Sequence, residues 1–529
     1  MIDWKKRLPF WLFGLMVLFF VLNPFSFLDF PLDDAWIHRV YSQSFAHGQG
    51  FEYNAGQQEA GSTSPLWSIV SSPAHWFDSW GFEIVILSVK FIGIFLCVLS
   101  IRALQKIGEQ VGLHQISWIA AACFALDPRL VFSALSGMEG PLVVALWLWS
   151  CYALLAHRFW LASFLMALMP TARPECIILF PFFILALLFI LYKKEDKRGF
   201  LSLFLLPIPM VLWGLFCKQA NGHWLPTTFY VKSESFHFGL KQIGQAWLSV
   251  GFRGTFFTLS TFFLLLVAFL FFRRTKNIFL PVFSLLLILA PGAYIFGVVS
   301  GRFFTFEGYY WTRWVESPAL ILSAMSALGF AVFYQYGDEL IPHRNAKAIS
   351  RWIFIALIIV TVPYALFSFS RQRYHLINDS KCMHILAVQP GLWINEHTTP
   401  DAVIALNDAG AIRYFGKRKS IDLVGLNNAK IAFSKKRAQA IFSSDWVVVA
   451  PGCFDSAAIF KYLTPVTQFF VFPEQYTVCE SKKQAVVVVY QVGLKKEKNI
   501  EPQQEEDEEI EMEKPSCITS EPFSDSITL

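Results

Sequence analysis

The feature that most constrains this chain is a recurrence of apolar runs along residues 8–370. Each is near or above the roughly 17–25 residues that cross a hydrocarbon core. They fall near 8–27, 82–104, 116–135, 138–156, 159–171, 176–192, 199–217, 254–272, 278–299, 315–335 and 352–370, with only short breaks between the third, fourth and fifth. Composition agrees. Only 16% of residues are charged and 55% are hydrophobic, whereas soluble domains carry about 25% charged residues. The expected fold class is therefore mainly α: a polytopic membrane helix bundle of about 11 spans.

Lysine and arginine mark the cytoplasmic loops of such bundles. With a cytoplasmic N-terminus, the short inside loops (MIDWKKR, RALQK, HR, KKEDKR, RRTKN and 336–351) hold 16 Lys and Arg. The longer outside loops hold about nine: Arg39, Arg129, Arg173, Lys218, Lys232, Lys241, Arg253, Arg302 and Arg313. The alternation places the N-terminus inside and the C-terminus outside. VLNPFSFLDF, at the end of the first run, offers no small-x-small cleavage site, so that run is expected to stay as an anchor.

The formal charge of +5 is split. Residues 501–529 carry ten acids and one lysine, a net of −9, which leaves +14 for residues 1–500. EPQQEEDEEIEMEKPSC has no apolar periodicity and reads as a disordered, solvated tail. There is no G-x-x-x-x-G-K-[ST] phosphate loop, which argues against a nucleotide-driven pump. Cys97, Cys123, Cys151, Cys176 and Cys217 fall in or beside spans and act as small apolar residues. Cys382, Cys453 and Cys479 fall outside, where Cys453–Cys479 is the preferred disulfide.

From about residue 372 the texture changes. HILAVQPGLWINEHT reads as a short helix, AVIALND, KSIDLVGL, DWVVVA and AVVVVYQV as strands, and NAKIAFSKKRAQAIFSS has helical spacing. The pattern is that of a small α/β domain. Three regions follow: a membrane domain over 1–371 with a first outer loop at 28–81, an extracytoplasmic α/β domain over 372–495, and an acidic tail over 496–529.

The first outer loop opens with Asp33 and Asp34, followed by helical spacing of Trp36, Val40 and Phe45. This suggests an amphipathic helix on the outer membrane surface. Asp33 could be its N-cap, with Asp34 as first-turn charge. Equally, the pair could act as a general base and a supporting carboxylate, because a positioned carboxylate accepts the proton of an attacking hydroxyl. Spacing alone leaves this open. Asp34 and His38 share a helical face, a weak two-ligand metal signal. The glycines at 48, 50, 56 and 61 suggest a folded loop that positions the Asp pair, and STSP before Leu66 suggests another short helix.

Further ionisable residues end the spans on the same side: Glu139, Arg173 with Glu175, His223, Lys232, Arg302, Glu307 and Arg313. At such depth these groups usually face a bundle interior or wet cavity. A structural ion pair is the plainer role for Arg173 and Glu175, and snorkelling for Lys232. Arg173, Lys232, Arg302 and Arg313 together would suit a lipid phosphate, since the Arg fork binds phosphate oxygens bidentately.

PLDDAWIHRVYSQSFAHGQGFEYNAGQQEAGSTSPLW resembles the first outer loop of polytopic GT-C glycosyltransferases that use polyprenyl-phosphate sugars. Among these it is similar to the mycobacterial-type terminal arabinofuranosyltransferases. SGMEGPL, ARPE, HWLPTTFYVK and NDAGAIRYFGKRKSIDLVGLNNAKIA fit further motifs in order, so the resemblance covers about residues 30–430. It implies a GT-C-like fold and an inverting transfer from a polyprenyl-phosphate sugar to an envelope glycan or glycolipid acceptor at the outer face of a bacterial inner membrane. Asp33 is assigned as base with Asp34 in support. Glu139, Arg173, His223, Lys232, Arg302 and Arg313 would hold donor phosphate or substrate. The implied partners are that donor, that acceptor and the bilayer, with no nucleic acid; no cofactor is certain and a divalent metal is left open. Departures at Thr227, His223 and Arg413 bear on donor and acceptor more than on reaction class.

Two rivals remain. A transporter or flippase of a lipid-linked sugar predicts internal repeats with broken helices in matching halves, and none is evident. A non-catalytic envelope scaffold has no need of both aspartates. The outer domain could bind acceptor glycan; Asp408 and Asp422 stand near its strand ends, where turn roles are the plainer reading.

Overall fold

The computed structural model describes residues 4–194, 198–232, 290–294, 309–340, 345–434, 436–453, 457–478 and 485–493. The expected spans 254–272 and most of 278–299, Arg302, Glu307, Cys479 of the expected disulfide, and the acidic tail lie outside the described residues.

The first apolar run does not form one straight helix. α1 (Trp4–Phe20) ends before Asn23, whose side chain accepts from Phe25 N as Pro24 starts α2 (Pro24–Leu28). A proline without an N–H is tolerated in a first helical turn, so the sequence itself sets this break. The chain then turns into α3 (Asp33–Ala46), bent 112° from α1. A small hairpin of β1 (Glu52–Asn54) and β2 (Gln57–Gln58) follows, then α4 (Pro65–Ser71) and a 3-10 segment, Ser72–Trp80. α4 begins at the proline of STSP, as its sequence suggests.

α5 (Phe82–Gln110) is a full-length span. Its buried Lys90 donates to the carbonyls of Ser26 and Asp29 at 2.7 and 2.6 Å, which offsets the cost of a cation at that depth. The run at 116–135 is two helices, α6 (Ser117–Ala125) and α7 (Pro128–Leu135), bent by 59° at Asp127-Pro128. α8 (Gly140–Leu155) and α9 (Phe159–Ala172) have 16 and 14 residues. At about 1.5 Å per residue they reach only ~21–24 Å, short of a ~30 Å hydrocarbon core. α10 (Phe180–Lys194), α11 (Ile208–Asn221) and the short α12 (Thr227–Lys232) follow.

α13 (Tyr309–Leu340) is the central helix: its apolar stretch Glu316–Tyr336 is 89% buried, against 22% for Gly199–Asn221, which faces outward. α14 (Ala346–Met383) spans 38 residues, or about 57 Å. It therefore outruns the bilayer, and its end grips the C-terminal α/β region, with Asn378 donating to Gln475 O at 2.6 Å and Thr477 Oγ1 at 2.7 Å. Among the described residues four helices are long and apolar enough to cross a membrane, or six if each bent pair counts as one span. The chain is a multi-pass membrane protein.

α15 (Gln389–His397) leads into a five-stranded sheet of order β4-β3-β5-β7-β6. Its strands are β3 (Val403–Leu406), β4 (Lys419–Asp422), β5 (Trp446–Val449), β6 (Leu463–Phe470) and β7 (Val486–Val492). β4, β3 and β5 run parallel, while β7 and β6 are antiparallel additions. β6 was not anticipated from sequence. It is an edge strand, mostly exposed and carrying Pro465, which edge strands tolerate.

α3 is not a surface helix. Nine of its fourteen residues are buried, among them Trp36, His38, Arg39 and Tyr41. An amphipathic pattern reports an apolar face without saying whether lipid or protein covers it, and here protein does. Trp36 packs against Tyr414 and Phe415 of α16 (Ala411–Gly416), which lies between β3 and β4 of the sheet. A hydrogen-bonded chain, Ser42 Oγ to His75 Nε2 at 3.0 Å and His75 Nδ1 to Asp78 at 2.9 Å, ties α3 to the 3-10 segment. It has the residue types of a hydrolase triad, but Ser42 is fully buried, so it braces the helix.

Candidate functional site

α3 delivers the aspartate pair to the junction of the first loop, the bundle and the C-terminal α/β region. Asp33 is not an N-cap: that position is Leu32, and no side chain caps the helix. The Asp33 carboxylate instead accepts from two amides of that region, Gly410 N on Oδ2 at 2.7 Å and Ala411 N on Oδ1 at 2.8 Å. Tyr53 of β1 fixes the same turn by donating to Ala409 O at 2.7 Å. The glycine-rich loop thus supports the aspartates. Gly48, Gly50 and Gly56 take positive φ to fold it, and Asn54 exchanges hydrogen bonds with the Ser420 backbone.

Asp34 points to the bundle. Its Oδ2 lies 2.7 Å from Arg313 Nη2 and 3.6 Å from Lys232 Nζ. Lys232 does not simply snorkel: it ends α12 against this carboxylate. One helical turn on, His38 Nε2 faces Glu139 Oε2 at 3.4 Å, and Glu139 Oε1 meets Arg173 Nη1 at 2.8 Å. Arg173 also stands 3.6 Å from Glu175. At the centre of the cations is Trp314, whose ring centroid lies 5.0 Å from Arg313, 5.1 Å from Arg173 and 5.7 Å from Lys232. Such contacts hold guanidinium and ammonium groups in place when water is excluded.

The two aspartates have opposite environments. Burial works against the Asp34 charge, but Arg313 and then Lys232 outweigh it and hold its carboxyl below the usual range. Burial and then the Asp408 charge push Asp33 well above that range, against the pull of the Ala411 and Gly410 amides. Asp408, in the turn after β3, is pushed up to about 6 by burial and then by Asp422 and Asp34. A carboxylate with raised proton affinity beside one held ionised is an arrangement suited to divided acid–base labour.

Of the residues expected from sequence, Asp33, Asp34, His38, Glu139, Arg173, Lys232 and Arg313 come together. His223 does not join them: its exposed ring stacks on Phe433 at 4.1 Å. The metal signal at Asp34 and His38 gains no third ligand; among the described residues no group of three His, Cys, Asp or Glu side chains fits a metal. Asp422 has the turn role expected, accepting from Val424 N, Gly425 N and Asn427 N. Trp314, Tyr53 and Gly410 were not singled out for the site, and Asp408 was given a turn role in preference to acceptor binding. Gly410 and Asp408 lie inside the quoted NDAGAI motif, the one signal that could have flagged them.

Comparison with known proteins supports the fold. Residues 371–497 match a family model described as a domain of unknown function (DUF8728). No curated protein sequence matches the chain. ArnT from Cupriavidus metallidurans in the apo state superposes with a TM-score of 0.55 at 12% identity, covering 91% of this chain and 98% of that one. Its undecaprenyl phosphate-bound form gives 0.55 at 11%, covering 91% and 97%. The archaeal oligosaccharyltransferase AglB from Archaeoglobus fulgidus, in complex with an inhibitory peptide and a dolichol-phosphate, gives 0.51 at 13%, covering 90% and 74%. These likenesses are of fold: the chain shares the polytopic membrane architecture of these structures. The arabinofuranosyltransferase AftD from Mycobacteria, at 0.47 and 15% identity over 91% of this chain and 40% of that one, is too remote to select a family within it.

Proposed function

We propose that this chain is a membrane glycosyltransferase that moves a sugar from a polyprenyl-phosphate donor to an envelope glycan or glycolipid. The observation that carries the reading is the division of the site into a carboxylate wall, Asp33 with Asp34, and a cationic wall, Arg313, Lys232 and Arg173, within one buried junction. Two neighbours of the same fold are described with a polyprenyl phosphate bound, undecaprenyl phosphate in ArnT and dolichol-phosphate in AglB.

Asp33 is the general base. Its two backbone hydrogen bonds fix it, and its raised proton affinity suits it to take the acceptor hydroxyl's proton as that oxygen attacks the anomeric carbon. The anomeric carbon–phosphate bond breaks on the opposite face, giving inversion, and the leaving polyprenyl phosphate passes to Arg313 and Lys232. Asp34 occupies those cations until phosphate arrives. Positioning carries much of the acceleration, because the phosphate's charge is largely present before transfer. The junction lies on the outer face of a bacterial inner membrane, with the N-terminus cytoplasmic and residues 372–495 extracytoplasmic. The test is transfer itself: full-length protein in liposomes is offered a panel of labelled polyprenyl-phosphate sugars and an envelope glycan extract. Label entering glycan from one donor supports the reading, and none from any donor opposes it.

A further inference from the structure

Three carboxylates meet at the junction, and two have protein partners. Both oxygens of Asp33 accept backbone N–H groups, and Asp34 Oδ2 sits between Arg313 and Lys232. The third is Asp408, from the outer domain. It stands two residues before Gly410, on the turn whose Gly410 N–H binds Asp33 at 2.7 Å. Among the described residues its carboxylate has no hydrogen-bond or ion-pair partner, although the neighbouring Ala409, Gly410 and Ala411 all bind the first loop. Asp422, the other aspartate near a strand end of this sheet, is by contrast satisfied by three backbone amides and Asn427 Nδ2.

A partly buried carboxylate without a partner is costly unless something else binds it. Its turn is also over-determined. Gly410 has no room for a side chain, since a Cβ there would stand 2.6 Å from Asp33 Oδ1, and Tyr53 holds Ala409 from the other side. The fold therefore fixes the Asp408 backbone at the aspartate pair and leaves its oxygens unclaimed.

We infer that Asp408 is a further catalytic residue, contributed by the outer domain, which binds the acceptor through a second hydroxyl next to the one that attacks at Asp33. The inference rests on the transferase reading and deepens it. The acceptor is then a polyol bound across the boundary between the bundle and the outer domain, held by one carboxylate from each. The Asp408 carboxylate accepts a hydrogen bond from the neighbouring hydroxyl, and Asp33 takes the proton of the attacking one, so no additional reactant is needed. The outer domain becomes part of the active site rather than a separate binding module.

Two measurements on the full chain test this. First, water-soluble carbodiimide with an amine labels free carboxylates, read by mass spectrometry. Asp408 should be labelled while Asp33 and Asp34 are spared; an unlabelled Asp408 would overturn the inference. Second, once the donor panel has identified a working donor, Asp408→Asn should lower kcat/KM for the acceptor by 100-fold or more with the donor KM unchanged. Asp408→Ser serves if the Asn variant fails to fold, judged by thermal melting. Full acceptor kinetics in either folded variant would sink the role of Asp408 and leave the transferase intact. A wild type inactive with every donor would overturn both the transferase reading and this one.

Discussion

Gly410 of the C-terminal α/β region lies against Asp33 of the first loop, its N–H 2.7 Å from Oδ2, across 377 residues of sequence. Neither group has an equivalent partner within its own segment. The position of the proposed base is thus set by the packing of two segments far apart in sequence.

Replacing Gly410 with alanine adds a methyl that would stand 2.6 Å from Asp33 Oδ1 and press on its carbonyl oxygen. Overpacking of this kind costs about 1–3 kcal/mol, and displacing a catalytic group by about 1 Å costs on the order of 100-fold in rate. Gly410→Ala should therefore melt somewhat lower yet remain folded, with kcat down roughly 100-fold. Steady-state kinetics paired with thermal melting checks it.

Arg313 is almost wholly buried, with Nη2 2.7 Å from Asp34. Lysine cannot reproduce a guanidinium fork on a phosphate, and a charge-assisted hydrogen bond is worth about 1.5–3 kcal/mol. Arg313→Lys should weaken binding of undecaprenyl phosphate by roughly 10–100-fold, as titrated by microscale thermophoresis in nanodiscs.

The Glu139–Arg173 pair, 2.8 Å apart and nearly inaccessible, makes a stability prediction. Removing one partner of a buried pair typically costs about 3–5 kcal/mol, because the other is left charged and unpaired. Arg173→Ala should lose about that much, and the Glu139→Gln, Arg173→Ala double variant less than the sum of the singles. Denaturation in detergent would show a fully additive double variant if the pairing were incidental.

Glu59 links the first loop to the C-terminal α/β region by accepting from Ala429 N at 3.2 Å, and burial raises it from 4.5 to about 7. The folded state then holds the proton more tightly than the unfolded state. The full stability is present below about 4.5 and is lost as pH rises towards 7. The loss is up to about 3 kcal/mol above that window. Glu59→Gln, neutral throughout, should melt like wild type at pH 5 and above it at pH 8; equal melting at both pH values would remove Glu59 as the cause.

Much of the site is legible in the sequence. Asp33, Asp34, Glu139, Arg173, Lys232 and Arg313 stand out because ionisable groups beside apolar runs are costly and need a reason. The partners are less legible. Nothing local says that Asp34 faces Arg313, or that Asp33 is held by Gly410, because both contacts appear only after long stretches of chain dock. The pattern of α3 shows a face but not what covers it, so burial by Tyr414 and Phe415 was invisible. The breaks at Asn23 and Asp127 were written in cap-and-proline pairs within apolar runs, which hydropathy averages over. β6 hid for the opposite reason: as an exposed edge it has almost no buried alternation to read.

The central claim is that Asp33 takes the proton when a polyprenyl-phosphate sugar is cleaved. It is tested most directly by release of polyprenyl phosphate from the donor that the panel identifies, for wild type, Asp33→Asn and Asp34→Asn in liposomes with acceptor present. The account predicts release by wild type, loss of about 100-fold or more in Asp33→Asn, and in Asp34→Asn a fault dominated by donor KM. Undiminished release from folded Asp33→Asn would contradict it.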